Sequence, residues 1–370
     1  MSEATSKKMR AADRPSIRDV ARRAGVSPGC VSNVINGRRR QDDPIGRAVL
    51  QAVKDLGYRR NTMASNLRRS QSRIIGLVIP DFENPFFAEL VAQLERCAER
   101  TNYRIVAASS RENPEIEARE IDELIGWRVA GVLLIPSLKS RTAGLVARSD
   151  TPFVMLDRIE PGHIVDAIGV NNSEASGRMV AHLAATGHRR ILVAYLGDGL
   201  ANVAERLDGV RAVAAEAGDR VQVDYLATGG TAEEARAAFT IHLEHNPAPD
   251  AVFCLFNIAT LAAYGLLQEQ GRAITLAGFD DSAWMAHVHP PVSAIVQPVR
   301  EIAEQAWSRL LSRIEDLEGP KGVLRVACAL ELRGVLKPET KHKGVPAPAE
   351  TRVPTEARNT HETAKMEETR

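Results

Sequence analysis

The stretch Ser16-Ile-Arg-Asp-Val-Ala-Arg-Arg-Ala-Gly-Val-Ser-Pro-Gly-Cys-Val-Ser-Asn-Val-Ile-Asn-Gly37 decides the architecture of the N-terminal part of the chain. Ser16 followed three residues later by Asp19 has the pattern of a capping box, in which a hydroxyl and a carboxylate satisfy each other's backbone N–H at a helix start. Ile17, Val20, Ala21 and Ala24 then recur on one helical face until Gly25 stops the pattern. Ser27 caps a second helix, with Pro28 in the first turn, where a missing N–H costs nothing. Val31, Val34 and Ile35 give that helix an inward face before Asn36-Gly37. A connection this short prevents the two helices from lying antiparallel along their length. They must cross steeply, as in a helix-turn-helix, which leaves the polar face of the second helix free. Ile45, Ala48, Val49, Ala52, Val53 and Leu56 form the stripe of a third, supporting helix, and Gly57 supplies its left-handed stop.

Charge is distributed unevenly around this head. The 370 residues carry a formal net charge of +1, yet residues 1–73 hold 17 Lys+Arg against 6 Asp+Glu, a balance of +11, which leaves −10 for the remainder. A basic head gains by displacing counterions condensed on a polyanion, and an acidic body is repelled from it. On charge alone a merely solvated surface is the favoured reading. The chain is 44% hydrophobic and 26% charged, as expected of two or three soluble domains. No run of about 18 apolar residues occurs, and Met1–Arg14 is polar and basic, so a cytoplasmic, nucleoid-associated location is expected. Cys30, Cys97, Cys254 and Cys328 lie far apart, without the spacing of a disulfide framework or a zinc ribbon.

The run from Ile17 to Gly37, together with Leu56-Gly-Tyr-Arg59, resembles the DNA-binding headpiece of the lactose/galactose repressor (LacI/GalR) family. The resemblance implies that the helix from Pro28 is the recognition helix, with Pro28, Gly29 and Asn33 facing bases and Ser32 facing phosphate. It places Ser27, Asn36 and Arg38 at the same interface. The N-terminal part of such a helix enters the major groove, and Asn can pair with adenine through both its donor and its acceptor. Gly29 and Cys30 stand where Ala/Thr-Thr is usual, and Asn33 where Arg is usual. Gly29 offers no side chain to a base, which moves discrimination toward Asn33 and indirect readout. A three-helix domain that binds protein is the alternative.

Arg60 to Ser70 is short, basic and barely amphipathic, so alone it should be mostly unfolded. The resemblance implies a hinge helix here that pairs with its dimer mate over the minor groove, with Asn61, Ala64, Leu67 and Arg68 on DNA and Leu67 wedged between base pairs. A flexible tether is the other reading.

From Arg73 onward the pattern alternates. Ile74–Ile79, Ile105–Ala108, Val132–Ile135, Phe153–Leu156, Ile191–Tyr195, Val252–Leu255 and Ile274–Ala277 read as buried parallel strands. Between them lie helical stripes: Phe87, Leu90, Val91, Leu94 and Ala98; Ile116, Ile121, Leu124 and Ile125; Ala204, Leu207, Val210, Val213 and Ala214. This βαβα alternation predicts an α/β body of two doubly wound parallel sheets, with a ligand between them at the C-terminal ends of the strands. The loops Pro80-Asp-Phe-Glu-Asn-Pro-Phe-Phe87, Leu156-Asp-Arg158 and Gly278-Phe-Asp-Asp281 extend the resemblance, whose family has a body similar to periplasmic sugar-binding proteins. It covers roughly Ser16 to Lys337. It implies an effector cleft lined by Asp81, Asn84, Phe86, Asp157, Arg158, Arg206, Asn257, Asp280 and Gln297. Carboxylates, amides and arginine with few apolar walls suit a polyhydroxylated ligand, because each acidic oxygen accepts hydroxyl protons in fixed geometry. A sugar leads; a purine or another metabolite is the alternative, since Asn257-Ile258 replaces the usual Asn-Asp and Ala263 the usual Gly. Taken singly, Asp157, Arg206 and Asp280 could be loop charges, and Phe86 and Phe87 core.

Other motifs are weaker. Gly197-Asp-Gly199 lacks the third glycine of a dinucleotide cradle, with Asn202 in its place. His242 with His245, and His287 with His289, are poor metal candidates. Asp280-Asp281 has no nucleophile and base beside it. The expected organisation is a disordered basic arm (1–14), a helix-turn-helix headpiece (15–59), a hinge or linker (60–72), a two-lobed effector-binding and dimerisation body (73–336), and a Pro-, Thr-, Glu- and Lys-rich disordered tail (337–370). The expected partners are double-stranded operator DNA, a small-molecule effector and a second copy of the chain, a tetramer being open; no membrane, metal, cofactor or enzymatic activity is expected. Repression leads over activation. A solute-binding protein and a nucleotide-using α/β enzyme are the rivals from other classes.

Overall fold

The computed structural model describes residues 15–58, 72–159, 162, 165–197 and 199–334. The expected basic arm, the tail, and the linker with Asn61, Ala64, Leu67 and Arg68 lie outside the described residues.

The headpiece consists of α1 (Ile17–Ala24), α2 (Pro28–Ile35) and α3 (Pro44–Leu56). The capping box forms as read: Ser16 N donates to Asp19 Oδ2 at 2.9 Å, and Asp19 N donates to Ser16 Oγ at 3.4 Å. Gly25 and Gly57 close their helices in the left-handed region, at φ 67° and 60°. Val20, Ala21, Val31, Val34, Val49 and Ala52 make the core. The stripe of α3 is rotated from the expected one, since Ile45 and Ala48 are exposed and Gly46 points inward. There the backbone comes so close that a Cβ on Gly46 would lie 2.5 Å from the Arg40 carbonyl oxygen.

In the body, the N-terminal lobe holds β1 (Ile74–Ile79), α4 (Pro85–Arg100), β2 (Arg104–Ser109), α5 (Pro114–Gly126), β3 (Gly131–Leu134), α6 (Ala143–Ala147), β4 (Phe153–Leu156) and β5 (Asp166–Val170). The chain then crosses to the C-terminal lobe for α7 (Asn172–Ala185), β6 (Arg190–Tyr195), α8 (Ala201–Ala217), β7 (Gln222–Ala227), α9 (Ala232–His245), β8 (Ala251–Cys254), α10 (Asn257–Glu269), β9 (Thr275–Phe279) and β10 (Ser293–Val296). It returns through α11 (Val299–Glu315) to β11 (Val323–Val326) in the first sheet and crosses again to β12 (Ala329–Glu331) in the second. The sheet orders are β11-β5-β4-β3-β1-β2 and β12-β10-β9-β8-β6-β7, all parallel except the β10–β12 pair. Three crossings therefore join the lobes.

All seven expected strands form, but β2 is an edge strand, half-exposed rather than buried. Five further strands, β5, β7, β10, β11 and β12, also form. β5 begins with the buried Asp166, and β7 is an edge strand of alternating, partly exposed residues. Asp166 is accommodated because Arg313 of α11 donates to it from Nε at 2.5 Å, which ties α11 back to the N-terminal lobe. Among the described residues, no helix is long and apolar enough to cross a membrane.

Close backbone contact sets the packing of α7 on α8: a Cβ on Gly209 would lie 1.8 Å from the Ser173 carbonyl oxygen. At Gly265 in α10, nothing stands within 4 Å of the same atom. Gly209→Ala should therefore lose roughly 1–3 kcal/mol or more to overpacking. Gly265→Ala should gain up to about 1 kcal/mol of helix propensity. Thermal denaturation checks this, with melting temperatures expected to move in opposite directions by about 2–4 °C per kcal/mol.

Candidate functional site

A cavity of about 330 Å³ opens where the C-terminal ends of strands from both sheets face each other, at the small end of the roughly 300–1,000 Å³ range of small-molecule sites. All nine residues expected there line it: Asp81, Asn84, Phe86, Asp157, Arg158, Arg206, Asn257, Asp280 and Gln297. Parallel strands bring them together, because each follows a strand end or opens the next helix. The walls are more apolar than expected. Phe87, Leu138, Leu196, Leu200, Val203, Phe256 and Ile258 also face the cavity, coming from loops and helix starts whose approach no local pattern signalled. Phe86 and Phe87 are both buried and lean on each other at 5.4 Å, so the core and site readings hold together for each.

Two hydrogen bonds close the cleft from lobe to lobe. Asn84 caps α4, its Oδ1 accepting from Phe86 N at 3.0 Å and also from Asn257 Nδ2 at 2.7 Å. Asp157, held at φ 61°, accepts from Asn202 Nδ2 at 3.0 Å through Oδ2. Asp81 Oδ1 ties its own loop by accepting from Glu83 N and Asn84 N.

The two arginines are held in place. Arg158 donates from Nη1 to Glu112 Oε2 and to the Pro136 carbonyl, both at 2.9 Å, and from Nη2 to Glu112 Oε1 at 2.6 Å. Arg206 donates from Nε to Asn172 Oδ1 at 2.9 Å and from Nη1 to the Leu255 carbonyl at 2.6 Å, its guanidinium 3.5 Å from the centroid of the Phe279 ring. Gln297 Nε2 donates to Asp280 Oδ1 at 2.5 Å. Burial pushes the Asp280 carboxyl above its usual range, against the opposing pull of Arg206 and Gln297.

These contacts fix the amide orientations. Asn84 Oδ1 already accepts a backbone N–H, so the Asn257 atom facing it must be the NH₂ group, and the same logic orients Gln297 against a carboxylate. Asp157 Oδ1, Asn257 Oδ1, Gln297 Oε1 and Arg158 Nε are left buried without a hydrogen bond, Arg158 Nε lying 4.0 Å from Asp157 Oδ2. Four such atoms around one cavity are costly unless a ligand or water meets them. Glu112 and Asn202 are the polar residues the sequence reading missed. Only their positions after a strand could have pointed to them. Asp281, beside Asp280, is held in an ion pair by Arg333.

On the headpiece, Ser27, Pro28, Gly29 and Asn33 are exposed along α2, and Arg38 is exposed just beyond it. Ser27 Oγ accepts from Cys30 N at 3.2 Å and so caps the helix. Asn36 is half-buried, its amide donating to the Ser32 carbonyl at 2.6 Å and to Ser32 Oγ at 3.1 Å, so the helix C-terminus takes up much of its capacity. Among the described residues no group of His, Cys, Asp and Glu is arranged to hold a metal.

Residues 16–61 match the family described as bacterial regulatory proteins, lacI family, and residues 72–289 match periplasmic binding proteins and sugar binding domain of LacI family. The chain belongs to the LacI family. The HTH-type transcriptional regulator PtxS of Pseudomonas putida is 30% identical over 335 residues, covering 88% of this chain and 97% of that protein. The solved complex of the transcriptional regulator CelR with cellobiose is 28% identical with a TM-score of 0.65, covering 87% of this chain and all of the other. The Lac repressor dimer bound to operator and the anti-inducer ONPF has a TM-score of 0.75 over 87% of this chain and 98% of that one; at 22% identity that likeness is one of fold. This LacI-family member is thus a helix-turn-helix, DNA-binding transcription regulator with an effector-binding body.

The sign of the Asp280 shift gives a test. A carboxyl whose folded pKa is raised favours folding below its unfolded pKa, and that contribution is lost as pH rises through the folded value. Asp280→Asn should therefore raise the melting temperature of the ligand-free protein near neutral pH, with the gain shrinking as the pH falls below the raised value. Melting curves from pH 4 to 8 check this.

Proposed function

We propose that this LacI-family regulator acts in the cytoplasm as a homodimeric repressor, without catalytic turnover, and that a small sugar in the cleft controls its grip on a pseudo-palindromic operator. The observation that carries the effector reading is the set of four buried, unpartnered polar atoms around one cavity bounded by both lobes. Hydroxyl groups both donate and accept, so a sugar ring can meet all four while its carbon faces lie on Phe86, Phe87 and Phe256. The CelR–cellobiose complex, a relative holding a sugar, supports the same class.

On the DNA side, residues 15–58 carry 8 Lys+Arg against 4 Asp+Glu, and α2 presents a small, uncharged start that lets the backbone approach base edges. In this reading Pro28, Gly29 and Asn33 face bases, with Ser27, Ser32, Asn36 and Arg38 toward phosphates. The segment with Asn61, Ala64, Leu67 and Arg68 acts as a minor-groove hinge between headpiece and body. Effector binding changes lobe closure and, through that segment, operator affinity. A coupling of about 1–3 kcal/mol suffices for a 5- to 150-fold change.

A mobility-shift assay with the full chain and its own upstream DNA tests the reading. The full chain should bind with affinity falling steeply as salt rises, and a fragment starting at residue 72 should not bind. Asn33→Ala should weaken operator binding by about 1–3 kcal/mol, with little change in binding to unrelated DNA. Full-length protein that ignores every duplex at low salt would overturn it.

A further inference from the structure

The hydrogen-bond inventory of the cleft says more than that it is polar. The inference that follows rests on the sugar reading above and narrows it by charge.

A phosphate or carboxylate is recognised by donors alone, most effectively by the two-pronged fork of a free guanidinium. Neither arginine presents both Nη atoms free: Arg158 keeps Nε and one Nη2 hydrogen, and Arg206 keeps Nη2. Both Nη atoms of Arg158 are taken by the two oxygens of Glu112, and Nη1 also donates to the Pro136 carbonyl. Nε and Nη1 of Arg206 are taken by Asn172 and the Leu255 carbonyl. The buried atoms that make no hydrogen bond at all are mostly acceptors, Asp157 Oδ1, Asn257 Oδ1 and Gln297 Oε1, beside one donor, Arg158 Nε. An anionic group brings only acceptors and would leave those three oxygens unsatisfied. Charge adds to this: Asp81, Asp157 and Asp280 line the cavity, Glu112 offsets Arg158, and only Arg206 remains against them. The N-termini of α8 and α10 also reach the cavity without a side-chain cap, and each contributes about half a positive charge. They supply no donor to the three unmet oxygens.

Glu112 governs this balance. It lies three residues beyond the C-terminal end of β2, and it and Arg111 take φ values of 54° and 53°, a left-handed pair of non-glycine residues. From there its carboxylate reaches Arg158 and also accepts from Leu138 N at 2.9 Å. We propose that the cleft takes an uncharged, hydroxyl-rich ring and rejects phosphorylated and carboxylated sugars, and that Glu112 sets this preference by occupying the fork of Arg158. Glu112 is here a positioning residue that acts through Arg158.

The experiment is calorimetric titration of the full-length protein with neutral aldoses and polyols, the corresponding sugar phosphates and sugar acids, and purine bases. It is run on the native chain, Glu112→Gln and Glu112→Asp, with melting curves as a check on folding. In the native chain the best neutral sugar should bind at least tenfold more tightly than its phosphorylated or acid form. In Glu112→Gln that ratio should fall at least tenfold, because the freed fork can pair with an anion. Glu112→Asp, too short to span both Nη atoms, should fall between. A native chain that binds the anionic form as tightly or more tightly overturns the charge inference and leaves the sugar reading standing. A preference for neutral sugars that Glu112→Gln does not alter overturns the role of Glu112. Purine binding in place of any sugar, or no binding across the panel, overturns the sugar reading itself. Should the Glu112 variants fail to fold, the native ratio still decides the charge preference.

Discussion

The body is held by an unfinished set of hydrogen bonds at the joint between two sheets. Parallel strands deliver polar loops to a place walled off from water, and every donor and acceptor there must find a partner or cost free energy. The protein supplies part of the answer across the joint, in the Asn84–Asn257 and Asp157–Asn202 bonds. Each is worth about 0.5–1.5 kcal/mol net, and each unmet buried atom costs about 1–3 kcal/mol. Summed, the two bonds give about 1–3 kcal/mol against about 4–12 kcal/mol for the four unmet atoms. The ligand-free cleft is left with a net cost, which a ligand that meets the remaining atoms removes.

Backbone geometry shows the same concentration of cost. Glu112, Asp157 and Asp280 all adopt positive φ, a conformation that non-glycine residues avoid, and all three line the cavity. In each case the turn re-aims a carboxylate, toward Arg158, toward Asn202 and toward Gln297 respectively. A protein selected only for stability would have glycine or asparagine there. The strain, the desolvated Asp280 and the unpartnered amides are concentrated in one small volume, while the two sheets around it are conventionally packed.

Much of this was legible in the sequence, for identifiable reasons. The headpiece was readable because caps, stop glycines and apolar stripes act within a few residues, and the expected three helices formed. The register of α3 was not, because Gly46 turns inward against the backbone at Arg40, a contact between segments that no stripe encodes. Strands at sheet centres were readable as apolar runs; β5 hid behind Asp166, whose partner Arg313 lies 147 residues away, and the edge strands hid behind their exposure. The nine cleft residues came from loop motifs through the family resemblance, and the structure brings all nine to one cavity. Glu112 and Asn202 carry no such motif. Their roles arise from what the other lobe or a neighbouring strand places opposite them.

Charge and topology then explain why one chain can couple two distant sites. Along the sequence, the segment from Arg59 to Gln71 links the basic head to the acidic body, and the body's two lobes are joined by three crossings. Two of those crossings begin at the cleft: Asn172, just after β5, orients Arg206, and Gln297, just before α11, holds Asp280. The first residues after the linker enter β1, whose far end leads directly to Asp81 and Asn84. If an effector acts as proposed, the six residues of β1 are what lies between the binding loop and the linker. Coupling over that distance requires no chain of side-chain rearrangements, only that the lobes change their relative angle while β1 stays intact.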